Sequence, residues 1–120
     1  MRKIELEVNK MFAVKENQRL LDDGTEITTY TRDVLNANVL EVEAGTNGYQ
    51  GGDSGHGCRT YFRIQNAGST DIEVHVMRDR FGDTAGFEVI LGGNCELETI
   101  VRALKFITKV FEDEISGVYD

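Results

Sequence analysis

Apolar and polar residues alternate along most of the first 91 positions of the chain. A period of two residues is typical of strands with one buried and one exposed face. It predicts strands near residues 4–8, 18–21, 26–32, 39–44, 59–65, 71–80 and 87–91. Asp22-Asp23-Gly24 separates the second and third of these, and Asp-Gly between two such runs is a strong hairpin signal. Short turns between successive strands favour an antiparallel meander.

The period changes after Leu91, where Gly92 and Gly93 end the last strand. Apolar residues then recur at helical spacing from about 95 to 116, and acidic residues in the first turn suit the helix dipole. They form two stripes: Leu97, Ile100, Val101, Leu104, Ile107, Phe111 and Ile115 in the first, and Ala103, Phe106 and Val110 in the second. One face can cover a sheet, and a band this wide could also serve a contact between helices or subunits.

These patterns predict an α+β fold, an antiparallel meander sheet packed by a C-terminal amphipathic helix. The 120 residues fit a single domain, with residues 1–91 rich in strand and the helix at about 95–116. The 40% hydrophobic content supports a folded core.

Composition narrows the partners and the compartment. The chain has 21 acidic against 13 basic residues and a net charge of −8, which argues against duplex nucleic acid as a partner. The first residues carry charges at alternate positions rather than a signal-peptide core, and no stretch has the roughly 18 apolar residues of a membrane helix. Cys58 and Cys95 are expected to be free thiols. We therefore expect a cytoplasmic protein without a membrane partner.

The segment from residue 45 to 57, called the glycine segment here, holds six glycines in thirteen residues. Glycine allows positive φ and close backbone approach to a ligand, and successive free N–H groups can cradle an anion. Ser54 adds a neutral donor. Arg59 follows where the chain returns to the sheet and can give a bidentate fork to phosphate, and Tyr49 could stack on a base. The alternative is a plain hairpin loop without a ligand.

Known motifs do not account for the glycine segment. A P-loop would need a lysine there, and a dinucleotide fingerprint would open a helix rather than a strand. Gly52-Asp53-Ser54-Gly55 matches the nucleophile motif of trypsin-like proteases, but no histidine precedes Ser54 to serve as the base. His56 and Cys58 do not have the spacing of a usual zinc pair. No catalytic group and no metal are predicted.

Two further features carry candidate chemistry. Phe81 lies at a turn outside the alternation, where it could cap the core or stack on a base. Arg102, Lys105 and Lys109 form a basic stripe along the helix. That stripe is either a solvated face making ion pairs or one wall of an anion pocket.

Three stretches together resemble a known family: residues 42–57 (VEAGTNGYQGGDSGHG), then Arg59-Thr60-Tyr61-Phe62, then residues 92–98 (GGNCELE) opening the helix. They are similar to small phage proteins of the Thoeris anti-defence class, in the first-described family that sequesters cyclic ADP-ribose-type signals. The resemblance covers most of the chain after about Leu40, together with its length and order of elements. The first third carries no matching motif.

The resemblance implies a non-enzymatic protein without a cofactor that acts in the cytoplasm of an infected bacterial host. Proteins of that family bind glycocyclic ADP-ribose isomers made from NAD by the defence system's TIR enzyme, as dimers or larger homo-oligomers with the signal near a subunit boundary. Some also bind cyclic oligonucleotides. Chosen by their chemistry, the candidate ligand-binding residues are Tyr49, Gly52, Asp53, Ser54, His56, Arg59, Phe81, Asn94 and Arg102.

Two other functions stay open from the residues alone. One is a small phosphodiesterase-like hydrolase that uses His56 and Asp53. The other is an acidic protein-interaction or inhibitor module that binds through the wide apolar face of the helix.

Overall fold

A computed structural model of the chain describes residues 14–51 and 57–119, with the backbone alone for residues 116–119. The α+β prediction is confirmed, because the described residues between Lys15 and Leu91 form antiparallel strands and a long helix follows. The elements are β1 (Lys15–Leu20), β2 (Glu26–Leu35), β3 (Val39–Thr46), β4 (Thr60–Gly68), β5 (Ile72–Arg78), β6 (Thr84–Leu91) and α1 (Asn94–Tyr119).

The first four strands form an antiparallel meander in the order β1-β2-β3-β4. The predicted hairpin at Asp22-Asp23-Gly24 joins β1 to β2, and Gly24 has the positive φ (90°) that such a turn requires. The glycine segment connects β3 to β4. Cross-strand pairs place Thr31, Glu43 and Arg63 in one row across β2, β3 and β4. Because side chains alternate between faces, these three share one side of the sheet.

Helix α1 packs on the other side of the sheet, mainly against β3. The core between them consists of apolar side chains that are at most 9% exposed: Val14, Val34, Leu40, Val42, Ala44, Ala103, Phe106, Ile107 and Val110. The helix therefore buries the second predicted stripe together with Ile107. The first stripe is turned away in part, since Leu97, Val101 and Leu104 are 41–62% exposed.

Strands β5 and β6 form a separate two-stranded sheet, which departs from the single meander that the sequence predicted. The connection after β4 explains the departure. Ser69 has a φ of 54°, and the Thr70 hydroxyl donates to the Val39 carbonyl at 2.9 Å, which holds the turn at the start of β3. The chain therefore does not fold back along β4.

Other boundaries differ by a few residues. Strand β4 runs on past its predicted end at residue 65 to Gly68, and α1 extends past its predicted end at about residue 116 to Tyr119. The strand predicted at residues 4–8 lies outside the described residues. Cys58 and Cys95 are free thiols, as expected. Within the described ranges, no helix has the length and apolar character needed to span a membrane.

Candidate functional site

The two ends of the glycine segment are clamped together where they meet the sheet. The Asn47 amide donates to the Arg59 carbonyl at 3.2 Å, and the Arg59 amide donates to Asn47 Oδ1 at 2.7 Å. The Thr46 hydroxyl donates to the same Arg59 carbonyl at 3.0 Å. Arg59 is thus held at a fixed place beside the sheet, as its position after the segment suggested.

Gly45, the first glycine of the segment, is part of the sheet. It lies within β3, where a Cβ atom would come 2.7–2.8 Å from Thr29 and closer still to the Thr28 carbonyl. Strand β2 therefore leaves no space for a side chain at this position. Among the described residues of the segment, Gly48 and Gly51 have left-handed φ angles, of 74° and 68°.

The Arg59 side chain reaches back to the β1–β2 turn. Its Nε donates to Asp23 Oδ2 at 2.5 Å, and its Nη1 donates to the Cys58 carbonyl at 2.9 Å. The hydrogen bond from Arg59, followed by that from the Thr25 amide, lowers the pKa of Asp23 to about 2. Both side chains of the ion pair are about 40% exposed, so solvent screens it and it contributes little to stability.

Arg59 lines a cavity of about 420 Å³ whose walls come from β1, the β1–β2 turn and β4. Arg19 and Tyr61 line the same cavity, and the Arg19 guanidinium lies 4.5 Å from the centre of the Tyr61 ring. An adjoining cavity of about 510 Å³ shares Arg19 and adds Arg63. These cavities lie on the side of the sheet that α1 leaves uncovered, called the open face here. Pockets of about 300–1,000 Å³ are typical for small-molecule ligands.

A buried carboxylate fixes the two inner arginines of the open face. Glu43 is 2% exposed at the centre of β3. It accepts hydrogen bonds from Arg19 at 2.8 and 3.0 Å, from Arg63 at 3.0 and 3.2 Å, and from the Thr29 hydroxyl at 2.6 Å. Burial alone would raise the pKa of Glu43, but the bonds from Arg19, Thr29 and Arg63 outweigh it and hold the pKa at about 2. The carboxylate is therefore ionised at neutral pH.

Together these residues form an arginine-rich concave surface with an aromatic ring in it. Arg19 and Arg63 are held by Glu43 at the floor, and Arg63 also pairs with Glu41 at 2.9 Å. The Arg19 and Arg63 side chains keep 39% and 26% of their surface exposed. Arg59 stands at the rim, in an ion pair that a ligand can replace at little energetic cost. Guanidinium groups bind phosphate through paired N–H donors, and an aromatic face can stack on a base. The arrangement is suited to binding a compact phosphate-bearing ligand.

The predicted site residues that the structure describes do not come together within one chain. Tyr49 lines a different, smaller cavity of about 210 Å³, with Phe111 and Ile115 of α1. Phe81 lies at the tip of the β5–β6 hairpin, 74% exposed, beneath the Arg80 guanidinium. Gly52, Asp53, Ser54 and His56 lie outside the described residues.

The two site candidates on α1, Asn94 and Arg102, lie in the N-terminal half of the helix. Asn94 is the first residue of α1, and Arg102 donates to the Leu35 carbonyl at the end of β2. Ile115, beside Tyr49, is 21 residues from Asn94, which corresponds to about 31 Å along a helix. Asn94 and Tyr49 of the same chain therefore cannot contact one small ligand.

Sequence reasoning missed Arg19, Tyr61, Arg63 and the carboxylate of Glu43. One signal was present, because Arg59, Tyr61 and Arg63 occupy alternate positions and so project to one side of a strand. No sequence pattern of this kind points to Arg19, since its place beside Tyr61 depends on the pairing of four strands.

Among the described residues, no group of three or more His, Cys, Asp and Glu side chains is placed to hold a metal ion. Comparison of the chain with models of protein families, with curated proteins and with solved structures gave no significant match.

Proposed function

We propose that this protein binds and sequesters a cyclic nucleotide signal of the ADP-ribose type, without cleaving it, as an anti-defence protein of a phage. The observation that carries the proposal is the open-face cavity in which Arg59, Arg19 and Tyr61 meet directly beside the glycine segment. Its volume, its two arginines and its aromatic ring suit a ligand with phosphates and a base. The resemblance of the glycine segment and the helix start to the Thoeris anti-defence family supplies the kind of ligand.

The charged side chains around the cavity are arranged so that a bound phosphate can reversibly replace an internal ion pair. Glu43 orients Arg19 and Arg63 before any ligand arrives, which lowers the entropy lost on binding. Arg59 is paired with the exposed Asp23, and a phosphate can take the place of that carboxylate. In this mechanism Arg59 closes on the phosphate. Arg19 keeps 39% of its side-chain surface exposed for a further contact, whereas the carboxylates of Glu41 and Glu43 both pair with Arg63 and hold it in place.

The same resemblance supplies the partners and the location of the protein. The ligand is a small cyclic nucleotide, the protein works as a homo-oligomer, and it acts in the cytoplasm of the infected bacterium. Cyclic oligonucleotides are the second ligand class to be tried, because they carry the same phosphate and base groups.

Thermal denaturation with and without ligand tests the proposal. We expect cyclic ADP-ribose or a glycocyclic isomer to raise the melting temperature, since saturation at one hundred times Kd adds about 2.7 kcal/mol to the free energy of unfolding.

Arg59→Ala removes a charge-assisted hydrogen bond of about 1.5–3 kcal/mol and should weaken binding roughly 10- to 100-fold. Asp23→Asn should act in the opposite direction and strengthen binding by up to about 5-fold, because it releases Arg59 from an exposed ion pair.

Arg80→Ala is the matched control. Arg80 is an exposed arginine at the tip of the β5–β6 hairpin and lines neither open-face cavity, so its loss should leave binding unchanged. Equal ligand stabilisation in Arg59→Ala and in the unmodified protein would remove Arg59 from the binding site. No stabilisation by any cyclic ADP-ribose isomer or cyclic dinucleotide would contradict the proposed function.

A further inference from the structure

A further cavity lies on the opposite side of β4 from the open face. Phe62 and Ile64 of β4 pair with Ala44 and Val42, which belong to the core beneath α1. The side chains of Phe62 and Ile64 therefore point away from the open face, toward the side of the sheet that α1 covers. The cavity there has a volume of about 420 Å³ and is called the hairpin cavity here. Its apolar walls include Phe62, Ile64, Val74, Phe87, Val89 and Ile100.

The walls of the hairpin cavity are apolar but remain in contact with solvent. Strands β5 and β6 form a sheet of their own, and Phe62, Val74 and Phe87 keep 44%, 56% and 56% of their surface exposed. The rings of Phe62 and Phe87 face each other from β4 and β6, with their centroids 6.2 Å apart and their planes at 51°. A two-stranded hairpin is marginally stable in water unless its apolar face packs against something. An apolar molecule in this cavity would bury its walls and pack the hairpin against β4.

The polar groups around the hairpin cavity are already engaged elsewhere. Arg63 is the one charged side chain among the described residues that line it. The Arg63 guanidinium is paired on the open face, with Glu41 at 2.9 Å and Glu43 at 3.0 Å. The Thr60 hydroxyl is hydrogen-bonded to the Thr46 hydroxyl at 2.9 Å. A charged ligand would lose its hydration in the cavity without gaining a partner, so the cavity selects neutral molecules.

The size and shape of the hairpin cavity suit a small molecule. Its volume falls within the range of about 300–1,000 Å³ that is typical of small-molecule pockets, and its walls come from β4, the hairpin and α1. Two phenylalanine rings in these walls favour a ligand with a ring of its own, because aromatic rings pack well in tilted or offset pairs. A folded partner protein would instead contact side chains that protrude beside the cavity, such as Val76, which is 58% exposed.

We propose that the hairpin cavity is a second ligand site, which takes a neutral, apolar molecule with one or two aromatic rings. The bound molecule contacts Phe62 of β4 and Phe87 of β6 at once and so ties the hairpin to the main sheet. Strand β4 separates this site from the open face. The proposal therefore does not rest on the capture of a cyclic nucleotide.

The fluorescent probe N-phenyl-1-naphthylamine, which is neutral and emits strongly in apolar surroundings, tests the proposal on the full chain. We expect its fluorescence to rise with protein concentration and to saturate at one probe per chain, with a Kd of roughly 100 μM or tighter. Amide hydrogen exchange in β5 and β6 should slow when the probe is bound, because the hairpin is then held against β4.

Val74→Trp should weaken probe binding at least about 10-fold, because the indole fills part of the hairpin cavity. Val76→Trp is the matched control. Val76 lies on the same face of the hairpin with a similar exposure but does not line the cavity, so probe binding should stay within about 2-fold. Circular dichroism checks that both variants fold. If either does not, Val74→Asp and Val76→Asp give the same comparison, since a carboxylate in the apolar cavity also opposes binding.

Three results overturn the proposal: no saturable rise in fluorescence, equal weakening by the variants at positions 74 and 76, or a signal per chain that falls as the protein concentration rises. The second result would place the probe on the outer surface of the hairpin, and the third would mean that another copy of the chain fills the cavity. Arg59→Ala should leave probe binding unchanged, because Arg59 does not line this cavity. Failure of this proposal and failure of the proposed function are thus distinguishable.

Discussion

Glu43 places an ionised carboxylate beneath two guanidinium groups at the centre of the sheet. It is one of the least exposed charged side chains described, and three donor residues satisfy its oxygens. Removing such a carboxylate leaves its partners uncompensated, which destabilises more than the pair itself stabilises. The residue therefore links the stability of the fold to the orientation of Arg19 and Arg63.

Acid should weaken the fold through Glu43. Its pKa is about 2 in the folded protein against 4.5 ordinarily, so its stabilisation is complete above pH 4.5 and is lost as the pH falls toward 2. A shift of this size corresponds to a contribution of up to about 3 kcal/mol. Asp23, also with a pKa of about 2, acts in the same direction. Urea unfolding at a series of pH values between 7 and 2.5 measures the loss.

Glu43→Gln isolates this contribution. The variant should be less stable than the unmodified protein by about 2–4 kcal/mol at pH 7, with a shallower loss of stability below pH 4.5. Glu88→Gln, at an exposed position on the hairpin, should change stability by less than about 0.5 kcal/mol. An identical pH slope in Glu43→Gln and the unmodified protein would show that Glu43 is not the titrating group.

Gly45 provides a test of close packing at the start of the glycine segment. Because β2 occupies the space of a Cβ atom, Gly45→Ala should destabilise the protein by about 1–3 kcal/mol. Gly86→Ala is the control, since Gly86 lies in a strand where an added Cβ atom would meet no other atom within 4 Å, and it should tolerate alanine. Chemical denaturation compares the two, and equal stability would contradict the close approach of β2 and β3.

At the scale of elements, Asn38 joins three parts of the fold. It is 1% exposed in the β2–β3 turn, and its Nδ2 donates to Thr99 of α1 at 2.9 Å and to Thr70 of the β4–β5 connection at 3.0 Å. Thr70 in turn donates to the Val39 carbonyl. This network fixes the start of the helix against the sheet and sets where the hairpin departs.

Loss of the Asn38 amide should destabilise the β2–β3 turn, the start of α1 and the β4–β5 connection together. Asn38→Ala leaves buried hydroxyls without their donor and should cost about 1–3 kcal/mol. Asn36→Ala, two residues away and exposed, should cost less than about 1 kcal/mol. Hydrogen exchange of the first turns of α1 should accelerate in the Asn38 variant. Unchanged exchange there would mean that the network does not hold the helix.

Most elements could be predicted because their signals are local. Alternation located the strands, Asp-Gly located the first turn, and the change of period located the helix. The separation of β5–β6 could not be predicted, because it depends on Thr70 reaching Val39, 31 positions earlier. Sequence also could not decide which helix stripe is buried, since Leu97 and Val110 are equally apolar and only the position of the sheet distinguishes them.

At the scale of the whole molecule, only part of the candidate site could be predicted from the sequence. Arg59 was found because it follows the glycine segment. Arg19 lies 40 positions earlier and comes to Tyr61 only through the register of four strands. Asn94 and Tyr49, which chemistry alone grouped together, lie at opposite ends of the helix. A ligand between subunits is the one arrangement in which both could still contribute.

The central claim is that the protein captures a cyclic nucleotide signal and does not consume it. The most direct measurement mixes TIR-generated signal with excess protein, removes the protein by filtration, and quantifies free signal by mass spectrometry before and after heat denaturation of the retained protein. We predict that the signal disappears from the filtrate and returns with its mass unchanged on heating. A signal that stays free throughout, or that returns only as a cleaved product, would contradict the account.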